Sequence, residues 1–123
     1  MKQENIIQAK SFAFAVRIVN LYKYLCNDRK EFVLSKQVLR SGTSIGANIE
    51  ESIGGQSDKD FLTKVTIAYK EARETIYWLK LLFATDYINN EQADSLLIDA
   101  EEICKILGKI QLSIKNRNSK LKS

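Results

Sequence analysis

Not one proline interrupts the 123 residues of this chain. Proline removes a backbone N–H and its ring clashes with the preceding turn, so its absence leaves long helices unpunctuated. The apolar residues use that freedom. From about Glu4 to Asn27, Ile7, Phe14, Ile18, Leu21 and Leu25 recur at helical spacing, with Phe12, Ala15, Val19, Tyr22 and Cys26 on a second line beside them. The two lines together are wider than one core-facing stripe requires. After NDRKEFVL a second helix is predicted, with Ser35 near its N-cap. Its apolar line is Val38, Gly42, Ile45, Ile49 and Ile53, and Gly54-Gly55 stops it.

Ser57, with Asp60 three residues on, resembles a capping box that opens a third helix. Phe61, Val65, Ala68, Ala72, Ile76, Leu79 and Phe83 form its apolar line. Asn89 and Gln92 open a fourth, with Leu96, Ala100, Ile103, Leu107, Ile110 and Ile114 in line. Short connections make consecutive helices antiparallel neighbours. The expected fold is all-α: an antiparallel, up-down-up-down four-helix bundle over residues 1–115, followed by a basic C-terminal tail at 116–123.

Composition agrees with one globular domain, since 45% of residues are apolar and the length supports one core. No apolar run approaches the ~20 residues of a membrane span. The opening MKQENIIQAK has no charged-then-apolar signal pattern. Cys26 and Cys104 stand apart with no CxxC, as in a reduced cytoplasmic chain. The net charge of +4 is unevenly placed. Residues 1–40 carry eight cations against three acids, 41–108 carry six against twelve, and 109–123 carry five against none. In the expected topology the start of helix 1 and the end of helix 4 share one end, so Lys2, Lys10 and Arg17 would join Lys109, Lys115, Arg117, Lys120 and Lys122 there.

Within the second helix, LRSGTSIGANIEES is unusual for a helix former. Two mid-helix glycines cost roughly 1 kcal/mol each relative to alanine. Ser41, Gly42, Gly46 and Ala47 would let a neighbouring helix approach closely, which offsets that cost. Arg40, Ser44, Asn48 and Glu51 follow one another at three- and four-residue spacing on one side. Two readings stay open: a polar network at the edge of a tight helix pair, or a recognition face in which Arg40 and Asn48 contact a phosphate or a partner backbone. On the third helix, Ile67, Glu71, Glu74 and Trp78 line a second face. Trp78 either fills the flank of its own bundle or, with Ile67 and the wide apolar face of helix 1, forms a subunit interface; the latter is favoured.

SGTSIGANIEES followed by FLTKVTIAYKEARETIYWLKLL resembles the small bacterial four-helix-bundle proteins encoded in intervening sequences of 23S rRNA genes, also labelled S23 ribosomal proteins. The resemblance rests on Ser44, Ile45, Asn48, Ile49 and Glu51 and extends over nearly the whole chain. Gly46 stands where that family usually has proline. The resemblance implies the same bundle. Through related accessory proteins of diversity-generating retroelements it also implies a homopentamer with a basic surface, and nucleic acid and a reverse transcriptase as partners.

The residues argue against catalysis. Glu50, Glu51, Glu71 and Glu74 suggest a carboxylate-bridged metal, but such bundle sites use Glu-x-x-His pairs and this chain has no histidine. Cys26 and Cys104 lack the usual activating base and lie on apolar lines. No catalytic residue, metal site or cofactor is therefore expected. The leading expectation is a homo-oligomer that binds structured RNA or DNA through its basic end, with Lys10, Arg17, Arg40, Lys109, Lys115, Arg117, Lys120 and Lys122 as contacts. The alternative is a protein-interaction scaffold without direct nucleic-acid contact, in which the Ile67/Trp78 face or the Arg40/Asn48 face matters and the tail does not.

Overall fold

The structure, a computed structural model, describes the backbone of residues 2–55 and 57–122 and the side chains of 6–55 and 57–119. Four helices make up the described fold: α1 (Lys2–Asn27), α2 (Leu34–Ile53), α3 (Asp58–Ala84) and α4 (Asn90–Lys122). Each packs on its neighbours in sequence, and α1 closes the ring against α4. Among the described residues the diagonal pairs α1–α3 and α2–α4 do not meet at the backbone. This is the antiparallel four-helix bundle that the periodicity predicts. No helix in it is long and apolar enough to cross a membrane.

The core follows the predicted lines closely. Ile7, Phe14, Ile18, Leu21 and Leu25 of α1 are buried, as are all six predicted positions of α4 from Leu96 to Ile114. Full burial of each such Ile or Leu contributes roughly 1.5–3 kcal/mol. Two predicted core positions are exposed instead. Ile53 is the last residue of α2 and Phe83 belongs to the final turn of α3, where no neighbouring helix covers them. Leu82 and Thr75 are buried on α3 where the predicted line passed them by. Phe12 is 70% exposed, so the second line of α1 is an outer flank rather than core.

The helix ends show which local signals were sufficient. Asn89 and Gln92 form a reciprocal capping box: Asn89 N donates to Gln92 Oε1 and Gln92 N donates to Asn89 Oδ1, both at 2.8 Å. Ser57 caps α3 by accepting from Asp60 N at 3.1 Å. The start of α2 departs from expectation. Ser35 is not the cap but a buried residue of the first turn. Glu31 does the capping from outside the helix, its carboxylate accepting from Val33 N at 3.1 Å and Ser35 N at 2.7 Å. An ionised carboxylate near a helix start also complements the helix dipole. The α3–α4 connection turns through Asp86 at φ 68°, with Tyr87 N bonded back to Leu82 O and Asp86 N to Phe83 O.

Candidate nucleic-acid interface

Opposite charges that are remote in sequence come together on the bundle surface. Arg17 Nη1 lies 2.6 Å from Asp99 Oδ2 and also donates to Ser95 O, while Nη2 donates to Ser95 Oγ at 2.8 Å. One to two turns along the same α1–α4 seam, Lys10 pairs with Glu102. Both cations therefore stitch the side of the bundle rather than line its end.

Arg40 behaves likewise on the α2–α3 seam. Its Nη1 lies 3.2 Å from Glu71 Oε2 and its Nη2 bonds Glu74. These contacts hold the guanidinium pKa above its usual value, chiefly through the Glu74 hydrogen bond and against a desolvation penalty. The rest of the polar ladder is occupied as well. Ser44 Oγ donates to Arg40 O at 2.6 Å, Asn48 Nδ2 donates to Ser44 O at 2.8 Å, and Glu51 lies 3.2 Å from Lys64 Nζ. Two ladder side chains thus bond their own helix and two cross to α3. As it stands, the arrangement is the polar edge of a helix pair.

Gly42 and Gly46 of the same stretch face α1, whereas Ser41 faces α3 and Ala47 is exposed. A Cβ at Gly42 would overlap Ile18, so glycine here sets the α1–α2 spacing. Beneath the ladder, Ser41 and Thr75 are buried with their hydroxyl oxygens 2.9 Å apart. The burial of Thr75 is not legible in the sequence, because a threonine at helical spacing gives no signal separating a core hydroxyl from a surface one.

At the end of the bundle, α4 is the longest helix, and Arg117 reaches Asp58, the first residue of α3, at 2.7 Å. The helix continues past this pair to Lys122, so the boundary expected at 115/116 is not marked by a break in secondary structure. Lys109 and Lys115 are exposed, and neither has an ion-pair partner among the described residues. The side chains of Lys2, Lys120 and Lys122 lie outside the described residues. The same end also receives the α2–α3 connection, bringing Glu50, Glu51, Asp58 and Asp60 near the basic helix ends. Gln8 Nε2 donates to Glu50 at 2.8 Å across that corner. Block charge therefore overstates how basic this end is.

On α3, Ile67 is exposed, whereas Trp78 is partly buried against the core. Trp78 meets Tyr77 edge-on at 5.1 Å, and its Nε1 is buried without a hydrogen-bond partner among the described residues. Much of the Trp78 surface is thus used within its own bundle. The more exposed apolar strip is Phe12 and Val16 on α1, four residues apart on its outer face.

The model of one protein family, described as 23S rRNA-intervening sequence protein, matches residues 3–109. Among solved structures, a protein of unknown function from the S23 ribosomal protein family of Bacteroides thetaiotaomicron VPI-5482 is 57% identical to this chain. That similarity covers 92% of this chain and 98% of the other, with a TM-score of 0.88. No curated protein matches the sequence.

Proposed function

The chain belongs to the 23S rRNA-intervening sequence protein family, and on that premise we propose that it is a non-enzymatic, cytoplasmic, self-assembling bundle that binds structured RNA or DNA. The phosphate-binding groups in this reading are Lys109 and Lys115, with Lys120 and Lys122 after them on α4, whereas Arg117 is engaged by Asp58. The observation that carries it is the exposure of Lys109 and Lys115 without an ion-pair partner among the described residues, whereas Lys10, Arg17 and Arg40 are held by Glu102, Asp99 and the Glu71/Glu74 pair. An exposed cation without a carboxylate can exchange its counterion for a phosphate, and that release drives association. Assembly would gather one α4 end from each copy on a common face. Such a surface reads backbone charge and shape rather than base sequence. The family description, which names the 23S rRNA intervening sequence, makes a structured rRNA fragment the first ligand to test.

A protein-scaffold reading has its own support in the exposed Phe12–Val16 strip, an apolar surface that a partner or a second copy could cover.

One titration separates them. Binding to a structured rRNA fragment and to duplex DNA is measured across a salt series, with the mass determined in parallel. Replacing Lys109, Lys115, Lys120 and Lys122 with Gln should weaken binding and flatten the slope of log affinity against log salt. The slope should fall by about one for each phosphate-binding cation removed. An oligomer that ignores both nucleic acids at low salt would overturn nucleic-acid binding and leave the scaffold.

A further inference from the structure

A groove of about 660 Å³ runs between α3 and α4, and none of Lys10, Arg17, Arg40, Lys109 and Lys115 lines it. That volume is typical of small-molecule sites. Arg73, Tyr77 and Lys80 line it from α3, and Glu101, Lys105 and Gly108 from α4. Their three- and four-residue spacing places each set on one helix face. Three cations thus meet one acid. Unlike Lys10, Arg17, Arg40, Lys64 and Arg117, none of these three cations has an ion-pair partner among the described residues.

The groove also offers aromatic surface. Tyr69 lines it close to Gly108, and Tyr77, 58% exposed, is braced edge-on against Trp78 at 5.1 Å. A tyrosine already held in place gives up little freedom when a flat ring stacks on it. At one end Gln111 Nε2 donates to Thr66 Oγ1 at 3.0 Å, bridging α4 to α3 just beyond Gly108. That bridge bounds the groove and suits a compact ligand better than a continuous strand.

Gly108 adds a separate indication. Glycine inside a helix is costly relative to alanine, and packing does not require it here. A Cβ at position 108 would meet only Tyr69 Cε2, at an ordinary contact distance of 3.8 Å. At Gly42, by contrast, the Cβ would lie 2.7 Å from Ile18. The missing side chain at 108 leaves open space in the groove rather than accommodating a neighbouring helix.

We infer that the α3–α4 groove binds a mononucleotide, its base laid against Tyr77 and its phosphate held by Arg73 and Lys105, with Gly108 leaving the space beside Tyr69 open to it. Arginine supplies a planar fork of donors to phosphate oxygens and lysine a point charge. Aromatic faces accept any base. The site is independent of whether the α4 end binds nucleic acid.

The test titrates the full-length chain with AMP at low salt, following Trp78 emission and heat of binding. Trp78 is the single tryptophan and its ring touches Tyr77, so a base stacked on Tyr77 changes its signal. Adenosine and inorganic phosphate serve as half-ligands, and AMP should bind at least about tenfold more tightly than either. Arg73→Gln with Lys105→Gln should weaken AMP binding by about tenfold or more. Gly108→Ala should raise Tm by about 4 °C, which shows that position 108 tolerates a side chain. Gly108→Leu, with its side chain in the groove, should abolish AMP binding while circular dichroism stays helical. Lys115→Gln should leave AMP affinity unchanged. The assignment is overturned if AMP gives neither signal at millimolar concentration or binds no more tightly than phosphate. Unaltered binding by Gly108→Leu, or the absence of binding in Lys115→Gln, would overturn it equally.

Discussion

Gly42 of α2 and Ile18 of α1 approach so closely that a Cβ on residue 42 would lie 2.7 Å from Ile18 Cγ1 and 2.8 Å from Cγ2. Ile18 is fully buried and its β-branched side chain has little rotamer freedom, so it cannot step aside. Gly42→Ala gains about 1 kcal/mol of helix propensity but incurs overpacking of about 1–3 kcal/mol. The clash wins, and the variant should be destabilised. A Cβ on Gly46 would lie 3.4 Å from Ser11 O, at the edge of ordinary contact, so Gly46→Ala should be neutral or stabilising by up to about 1 kcal/mol. Urea midpoints of the two variants give the comparison directly. The reverse order would mean that Gly42 does not set the helix spacing.

Ser41 and Thr75 join α2 to α3 beneath the polar ladder, through hydroxyls 2.9 Å apart in a fully buried setting. Thr75 Oγ1 also lies 2.8 Å from the Glu71 carbonyl oxygen. Thr75→Val removes one hydroxyl and strands the other away from water, which costs roughly 1–3 kcal/mol. Adding Ser41→Ala removes the stranded group. The double variant should therefore recover part of the loss, giving a coupling energy of about 1 kcal/mol in a double-mutant cycle. Strict additivity of the two single changes would show that the hydroxyls do not act as a pair.

Cys104 lies in the α3–α4 groove, and burial pushes its thiol pKa above the ordinary value of 9.0, with the Arg73 cation opposing the shift and Glu101 adding to it. In the folded chain the thiol therefore keeps its proton to higher pH than in the unfolded chain. The folded state binds more protons in that window, so stability is fully present below about pH 9 and is lost as pH rises through the folded-state value. Relative to Cys104→Ser, the parent chain should lose stability as the pH rises above about 9. Arg73→Gln removes the opposing cation, so the pH midpoint of Cys104 alkylation should move upward in a Cys26→Ser background. A midpoint that moves downward would contradict the placement of Arg73 beside the thiol.

Much of the bundle is legible from residue spacing, because both helix formation and burial of an apolar stripe repeat every 3.6 residues. The α4 line from Leu96 to Ile114 and the Asn89–Gln92 capping box are read correctly for that reason. Glu31 as the cap of α2 is not, because its carboxylate reaches forward from outside the helix to the Val33 and Ser35 amides. Ile53 and Phe83 keep their period but lie at helix ends, where the bundle has no further wall.

Charge is where spacing fails. Arg17 and Asp99 are 82 residues apart in sequence, and Arg40 lies 31 residues from Glu71, yet each forms an ion pair. The number and order of the helices, their caps and most of the core follow from local periodicity, since a helix interacts chiefly with itself and buries one stripe. Which cations stay unpaired, where a groove opens between α3 and α4, and which glycine touches a neighbour depend on helix register. Electrostatic and contact energies follow distance in space, and only the tertiary structure supplies that distance.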